Sequence, residues 1–67
     1  MTITYSLTPT TRDKLICAQR ELEMRRNVYP RRIEQGKMTQ AQADYEIKCM
    51  EAICDDYQSR VELERLI

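Results

Sequence analysis

The residue types that carry most enzyme chemistry are sparse in this chain of 67 residues. Histidine, the commonest general acid or base, is absent, and a single glycine cannot build a phosphate-binding loop. The cysteines Cys17, Cys49 and Cys54 have neither a histidine partner nor C-x-x-C spacing, which argues against a zinc site and against a thiol nucleophile. We therefore expect no enzymatic activity, no metal and no cofactor, and we expect reduced cysteines that pack as small hydrophobic residues.

Charged side chains are the remaining functional groups, and they divide by position along the chain. Eleven basic and eleven acidic residues give a formal net charge of zero, which excludes binding to nucleic acid through bulk positive charge alone. Residues 1–37 hold eight basic and four acidic side chains, a net of +4. Residues 38–67 hold three basic and seven acidic side chains, a net of −4. The chain therefore has a basic arm and an acidic arm.

Three interpretations of this division stay open. In the first, the two arms attract each other and fix the orientation of the fold. In the second, arginines around Tyr29 and Pro30 contact nucleic-acid phosphates, although no recognised nucleic-acid-binding motif accompanies them. This cluster comprises Arg25, Arg26, Arg31 and Arg32. In the third, an acidic face engages a basic groove on a protein partner. That face comprises Asp55, Asp56 and Glu62.

The basic arm is predicted to form a first helix over about residues 9–28. Thr8 is a candidate N-cap, and Pro9 suits the first helical position because its missing N–H is not needed there. Apolar residues recur at helical spacing, and Leu15 and Leu22 are assigned to the seam between helices.

Pro30 makes the end of this helix ambiguous. Proline in a helix interior removes one backbone hydrogen bond and clashes with the preceding turn. The sequence therefore predicts either a break after Asn27 or a kink with a short helical extension over 30–35. Gly36 is then expected to end the element in the left-handed conformation.

A second helix is predicted over about residues 40–65. Thr39 and Gln42 have the spacing of a capping box, in which each side chain satisfies a backbone N–H at the helix start. Apolar residues then alternate at intervals of three and four, which is typical of a coiled-coil seam. The seam residues assigned here are Ile47, Met50, Cys54, Tyr57 and Val61.

Together these elements predict an all-α fold, an antiparallel two-helix hairpin over residues 8–67 that follows an irregular segment, 1–7. Helices joined by so short a connection pack as antiparallel neighbours. Several apolar side chains of the second helix lie off its seam, and a lone hairpin buries little surface. We therefore expect a homodimer that packs as a helical bundle. The off-seam residues are Tyr45, Cys49, Ala52, Ile53 and Leu66.

The segment from Glu21 to Ile53 resembles a group of small proteins encoded in phages and prophages. The shared pattern is M-R-x-x-V-Y-P-x-x-(V/I)-x-x-G-(K/R)-M-T, followed by A-x-x-E-I and M-x-A-I. Where such proteins carry an aromatic residue after Y-P-R, this chain has Arg32. The resemblance implies an origin in a mobile element and action inside a bacterial host.

No stretch of the chain approaches the ~20 apolar residues of a membrane span, and the N-terminal residues lack the layout of a signal peptide. We accordingly expect a location in the host cytoplasm without membrane association. The expected function is non-enzymatic binding to a host or phage protein, with modulation or inhibition of a host process such as CRISPR defence. An accessory nucleic-acid-binding protein and a structural or assembly dimer are the alternatives.

Overall fold

The computed structural model describes residues 8–66, which form two helices packed against each other. Helix α1 spans Thr11–Glu34 and helix α2 spans Gln40–Arg65. The predicted all-α hairpin is therefore confirmed. The irregular segment predicted over 1–7 lies outside the described residues.

Helix α1 begins later than the sequence indicated, because the capping chemistry belongs to Thr10 rather than to Thr8. The Thr10 side chain accepts a hydrogen bond from the Asp13 N–H at 3.1 Å, and the Asp13 carboxylate accepts one from the Thr10 N–H at 3.0 Å. Three residues after Thr8 the chain carries Thr11, whereas three residues after Thr10 it carries Asp13, whose carboxylate completes the capping box. The backbone hydrogen bond to Thr10, and then that to its hydroxyl, lower the pKa of Asp13.

The helix continues without interruption through Pro30 to Glu34, so the predicted break near Asn27 is wrong. Proline fixes φ at a helical value, but it forfeits the bond to the Arg26 carbonyl and crowds the preceding turn. Tyr29, the residue before Pro30, is buried. A kink at Pro30 stays a prediction.

A reversal at Gly36 joins the helices. Gly36 has φ +72°, in the left-handed region that glycine adopts at no steric cost. Its N–H donates to the Ile33 carbonyl at 3.0 Å, and the Lys37 N–H donates to the Arg32 carbonyl at 2.9 Å. These two bonds constitute a Schellman motif, which satisfies carbonyls that the helix end would leave unpaired.

Helix α2 starts with the capping box expected from Thr39 and Gln42. The Gln42 N–H donates to the Thr39 hydroxyl at 3.1 Å, and the Thr39 N–H donates to the Gln42 side chain at 3.0 Å. The two helices run antiparallel, since Thr11 donates to Glu64 at the open end while Arg25 contacts Glu46 nearer the turn.

The core is one seam between the helices. Ala18, Leu22, Met50 and Cys54 form its central cluster, with the partly buried Ile47 packed against it. Of the seam residues assigned from sequence, Leu15, Leu22, Met50 and Cys54 are buried, whereas Ile47, Tyr57 and Val61 are half-buried. Three further residues are buried within the described part of the chain, namely Ala18, Tyr29 and Ala43.

Replacing Pro30 with alanine should stabilise the hairpin. Alanine restores the backbone bond to the Arg26 carbonyl and removes the steric clash, so the free energy of unfolding should rise by up to about 3 kcal/mol. Urea denaturation followed by circular dichroism measures this change. Pro9→Ala, outside the helix, is the matched control and should change stability little. A lower stability of P30A would show instead that packing depends on the geometry imposed by proline.

Candidate interaction surfaces

The four arginines predicted to form one cluster are divided by the fold. Arg25 donates to Glu21 at 3.2 Å and to Glu46 at 2.7 Å, which connects the two helices. Arg26 lies about 100° further around α1 and donates to Glu51 at 3.0 Å. Arg25 and Arg26 therefore lie on opposite sides of the seam. Each forms an ion pair with a carboxylate of α2 along one edge of the seam.

Arg25 could have been recognised from its spacing. It lies three residues after Leu22 and four before Tyr29, which places it on the buried line of α1. Burial opposes its charged form, but the hydrogen bond to Glu21 and the neighbouring negative charges raise its pKa above the ordinary value. Arg25 is thus a charged residue of the seam, and its ion pair with Glu46 connects the basic arm to the acidic arm.

Arg31 and Arg32 remain exposed in the last turn of α1, where cations interact favourably with the helix dipole. Within residues 8–66 neither side chain forms an ion pair. Of the four predicted contacts for an anionic partner, these two are the ones without an ion-pair partner, whereas Arg26 is 52% exposed but paired with Glu51.

The predicted acidic face is also divided. Asp55 and Glu62 are seven residues apart, so both project from the same flank of α2. Asp44 and Glu51 continue this line at the same helical angle, and we refer to these four residues as the acidic flank. Asp56 projects about 100° away from Asp55 and lines a shallow groove on another side of α2.

The carboxylates of the acidic flank differ in their partners. Asp44 accepts a hydrogen bond from Gln40 at 2.9 Å, and Glu62 accepts one from Gln58 at 3.3 Å. These neutral amides orient the carboxylates and leave their charge uncompensated. Glu51 alone of the four is paired with a cation, Arg26.

The shallow groove on α2 is lined by Ile53, Asp56, Tyr57 and Arg60. These four residues follow one another at helical spacing, so they form a continuous strip along α2. The groove combines an apolar side chain, an aromatic ring and one charge of each sign. Sequence reasoning had assigned Tyr57 to the seam, whereas the half-buried ring contributes to both surfaces.

Only one of the three cysteines is packed as predicted. Cys54 is buried in the seam, and its pKa is raised, first by desolvation and then by the nearby Asp55 charge. A raised pKa disfavours the thiolate and therefore the reactivity of Cys54. Cys17 and Cys49 are exposed free thiols, so the prediction that all three cysteines pack as hydrophobic residues is wrong for these two.

Comparison with known protein families, curated proteins and solved structures gives no match to this chain. Neither described helix has the length and apolarity that crossing a bilayer requires. No potential metal ligands come together in a group of three or more between residues 8 and 66. The surfaces of the hairpin are accordingly the guide to its function.

A double-mutant cycle tests whether Arg25 couples the two helices. We expect Arg25→Gln and Glu46→Gln to show a coupling free energy of about 0.2–1 kcal/mol, because the ion pair is short and the arginine side chain is only 26% exposed. Urea unfolding of the single and double variants measures it. The control cycle combines Arg26→Gln with Glu46→Gln, whose side chains do not pair, and should give no coupling. Equal coupling in both cycles would contradict the specific bond.

Proposed function

We propose that this hairpin is a non-enzymatic protein-binding module of phage or prophage origin that modulates or inhibits a host protein in the bacterial cytoplasm. The acidic flank of α2 is the observation that carries the proposal. A line of carboxylates on a regular helix presents negative charge at fixed intervals, and such a surface complements a basic groove. A host or phage protein that binds nucleic acid has a groove of this kind.

The dimensions of the acidic flank support this reading. Asp44 and Glu62 are eighteen residues apart, which corresponds to about 27 Å along the helix axis. Three of the four carboxylates, those of Asp44, Asp55 and Glu62, have no cationic partner within the described residues. An extended row of uncompensated charge would raise the rate of encounter with a basic partner. Inhibition of a CRISPR complex through its nucleic-acid channel is one version of this function.

The resemblance to phage and prophage proteins supports the proposed origin and setting. The shared residues concentrate around the hairpin turn, where Tyr29 is buried, Gly36 adopts its positive φ and Thr39 caps α2. These roles are structural. The shared pattern therefore concerns the turn, whereas the acidic flank is where we place the partner contact.

Removing charge from the acidic flank should weaken partner capture. The variant Asp55→Asn with Glu62→Gln lacks two carboxylates but keeps side-chain size, so affinity capture from a bacterial lysate should lose the bound protein at least tenfold. Glu23→Gln with Glu34→Gln on α1 is the matched control, because it removes the same charge elsewhere. Quantitative mass spectrometry of captured proteins measures both. Equal capture by both variants, or capture that depends on neither pair, would contradict the acidic contact.

Nucleic-acid binding is the second candidate, and the exposure of Arg31 and Arg32 beside the turn favours it. With Lys37 they place three cations around the reversal of the chain. Guanidinium groups bind phosphates through paired hydrogen bonds. The contact surface is much smaller than the predicted cluster of four, because Arg25 and Arg26 are engaged with α2.

A salt series separates this candidate from the first. If the turn binds phosphates, affinity for duplex or single-stranded DNA should fall steeply with salt, and Arg31→Ala with Arg32→Ala should reduce the slope by about two counterions. Fluorescence anisotropy measures the affinity. Arg12→Ala with Arg20→Ala, which removes two exposed cations elsewhere on α1, should leave the slope unchanged. Absence of binding at low salt would exclude the nucleic-acid function.

We also propose that the hairpin self-associates, and an assembly dimer is the third functional candidate. The seven buried residues between positions 8 and 66 make a small core for a two-helix hairpin. Exposed large apolar side chains remain on both helices. Burial of these side chains by a second copy would add the apolar surface that a single hairpin lacks.

A further inference from the structure

The shallow groove lies on the same edge of α2 as Glu46, which forms an ion pair with α1. Ile53 and Arg60 follow Glu46 at intervals of seven residues, so the three side chains lie within about 40° of one another around the helix. Glu64 lies four residues beyond Arg60 on this edge. Its carboxylate accepts the hydrogen bond from the Thr11 hydroxyl at 2.8 Å. The chain therefore enters α1 beside one end of the groove.

The groove offers both apolar surface and open hydrogen-bonding groups. Ile53 is 41% exposed, and the Tyr57 ring beside it is half-buried. Asp56 and Arg60 lie further from the seam, and within the described part of the chain neither forms an ion pair. A carboxylate accepts from a backbone N–H, and a guanidinium donates to a carbonyl. This combination suits an extended peptide, whose backbone groups need partners from outside the segment.

Residues 1–8 have the sequence pattern of an extended segment with one apolar side. Apolar and hydroxyl-bearing residues alternate strictly in M-T-I-T-Y-S-L-T. In an extended chain, this alternation places Met1, Ile3, Tyr5 and Leu7 on one side and the hydroxyl groups of the other residues on the opposite side. The part of the chain that the structure describes is helical and offers no strand for pairing. Within one chain, the surface that can cover this apolar side is therefore a helix face.

The path of the chain brings this segment within reach of the groove. The backbone bends at Thr8, two residues before the N-cap of α1, which permits the preceding residues to return along the hairpin. Measured along the axis of α2 from Glu64, Arg60 lies at about 6 Å and Ile53 at about 17 Å. Seven extended residues span about 23 Å. Residues 1–7 can therefore cover the whole groove from the open end of the hairpin.

We propose that residues 1–7 dock in the shallow groove as an extended segment beside α2, with their apolar side against Ile53 and Tyr57. The entry of the chain beside the groove, the alternating pattern and the open polar groups favour this occupant over a second helix. The inference does not depend on the proposed function, because the acidic flank lies on the other edge of the seam, with the Arg26–Glu51 pair. Exposed apolar side chains of α1 remain for the proposed self-association.

The proposal fixes which positions meet. An extended residue advances about 3.3 Å and a helical residue about 1.5 Å, so two residues of the segment pass about four residues of α2. Leu7 follows the bend and lies level with Glu64. Tyr5 then lies level with Arg60, where its ring can contact the guanidinium. Ile3 follows beside the apolar part of the groove.

Disulfide trapping within one chain tests this register. The background replaces the two exposed cysteines with serine and retains the buried Cys54. Under mild oxidation, Tyr5→Cys with Arg60→Cys should form at least tenfold more intramolecular disulfide than Tyr5→Cys with Ser59→Cys. Ser59 is the matched control, because it is exposed at nearly the same level of α2 but points about 100° away from Arg60. Equal trapping of the two pairs, measured by mass spectrometry, would overturn the groove as the docking site.

The accessibility of the groove gives an independent measurement. In the same background, Ile53→Cys should react with a maleimide at least tenfold more slowly than Ser59→Cys, because the segment covers it. Adding Ile3→Asp and Leu7→Asp should restore the faster rate, since a charged group is not accommodated against an apolar surface. Circular dichroism of each variant checks that the hairpin is intact.

A second double variant and the protein concentration distinguish the other occupants. Thr2→Asp with Thr4→Asp adds the same charge to the polar side of the segment and should leave Ile53→Cys protected. Equal loss of protection in both double variants would contradict the apolar contact. Protection that disappears on dilution would assign the groove to a second copy and overturn the proposal. Rapid modification at every concentration would show that residues 1–7 leave the groove open, which overturns it as well.

Discussion

The structure depends on one constraint, the reversal of the chain over residues 35–39. Gly36 adopts a positive φ, and the Schellman bonds beside it end α1 within one turn. Thr39 then starts α2 with its capping box. A connection this short leaves the second helix no position except alongside the first, in the opposite direction. The seam, its ion pairs and the outward surfaces all follow from that direction.

The antiparallel direction changes the meaning of the charge balance. A net charge of zero excludes a polycation, yet it conceals a basic arm and an acidic arm. Packing brings the arms together, and Arg25 and Arg26 compensate carboxylates of α2 on either side of the seam. The charge left over is arranged along the hairpin, basic near the turn and acidic near the open end. The surface charge of the hairpin is therefore uneven, although its composition is balanced.

The helix count, the hairpin and the second capping box could be predicted because they depend on short-range chemistry. A capping box needs two residues at fixed spacing, and a seam needs apolar residues at intervals of three and four. The same local logic failed at the first helix start, where it predicts Thr8 as the cap, whereas Thr10 caps the helix because Asp13 lies three residues ahead. It also left open a break at Pro30, whereas the helix continues through this residue and Tyr29 beside it is buried.

The sequence by itself determined that this protein is helical, that it reverses at Gly36 and that Leu15, Leu22, Met50 and Cys54 lie in its seam. Those properties follow from backbone preferences and periodicity, which act within a few residues. Only the tertiary structure decided which charges are compensated. Neighbours such as Arg25 and Arg26, or Asp55 and Asp56, point in directions that differ by about 100°, so residues adjacent in sequence belong to different surfaces. Their partners depend on the rotation of each helix against the other, which adjacency in the sequence does not reveal.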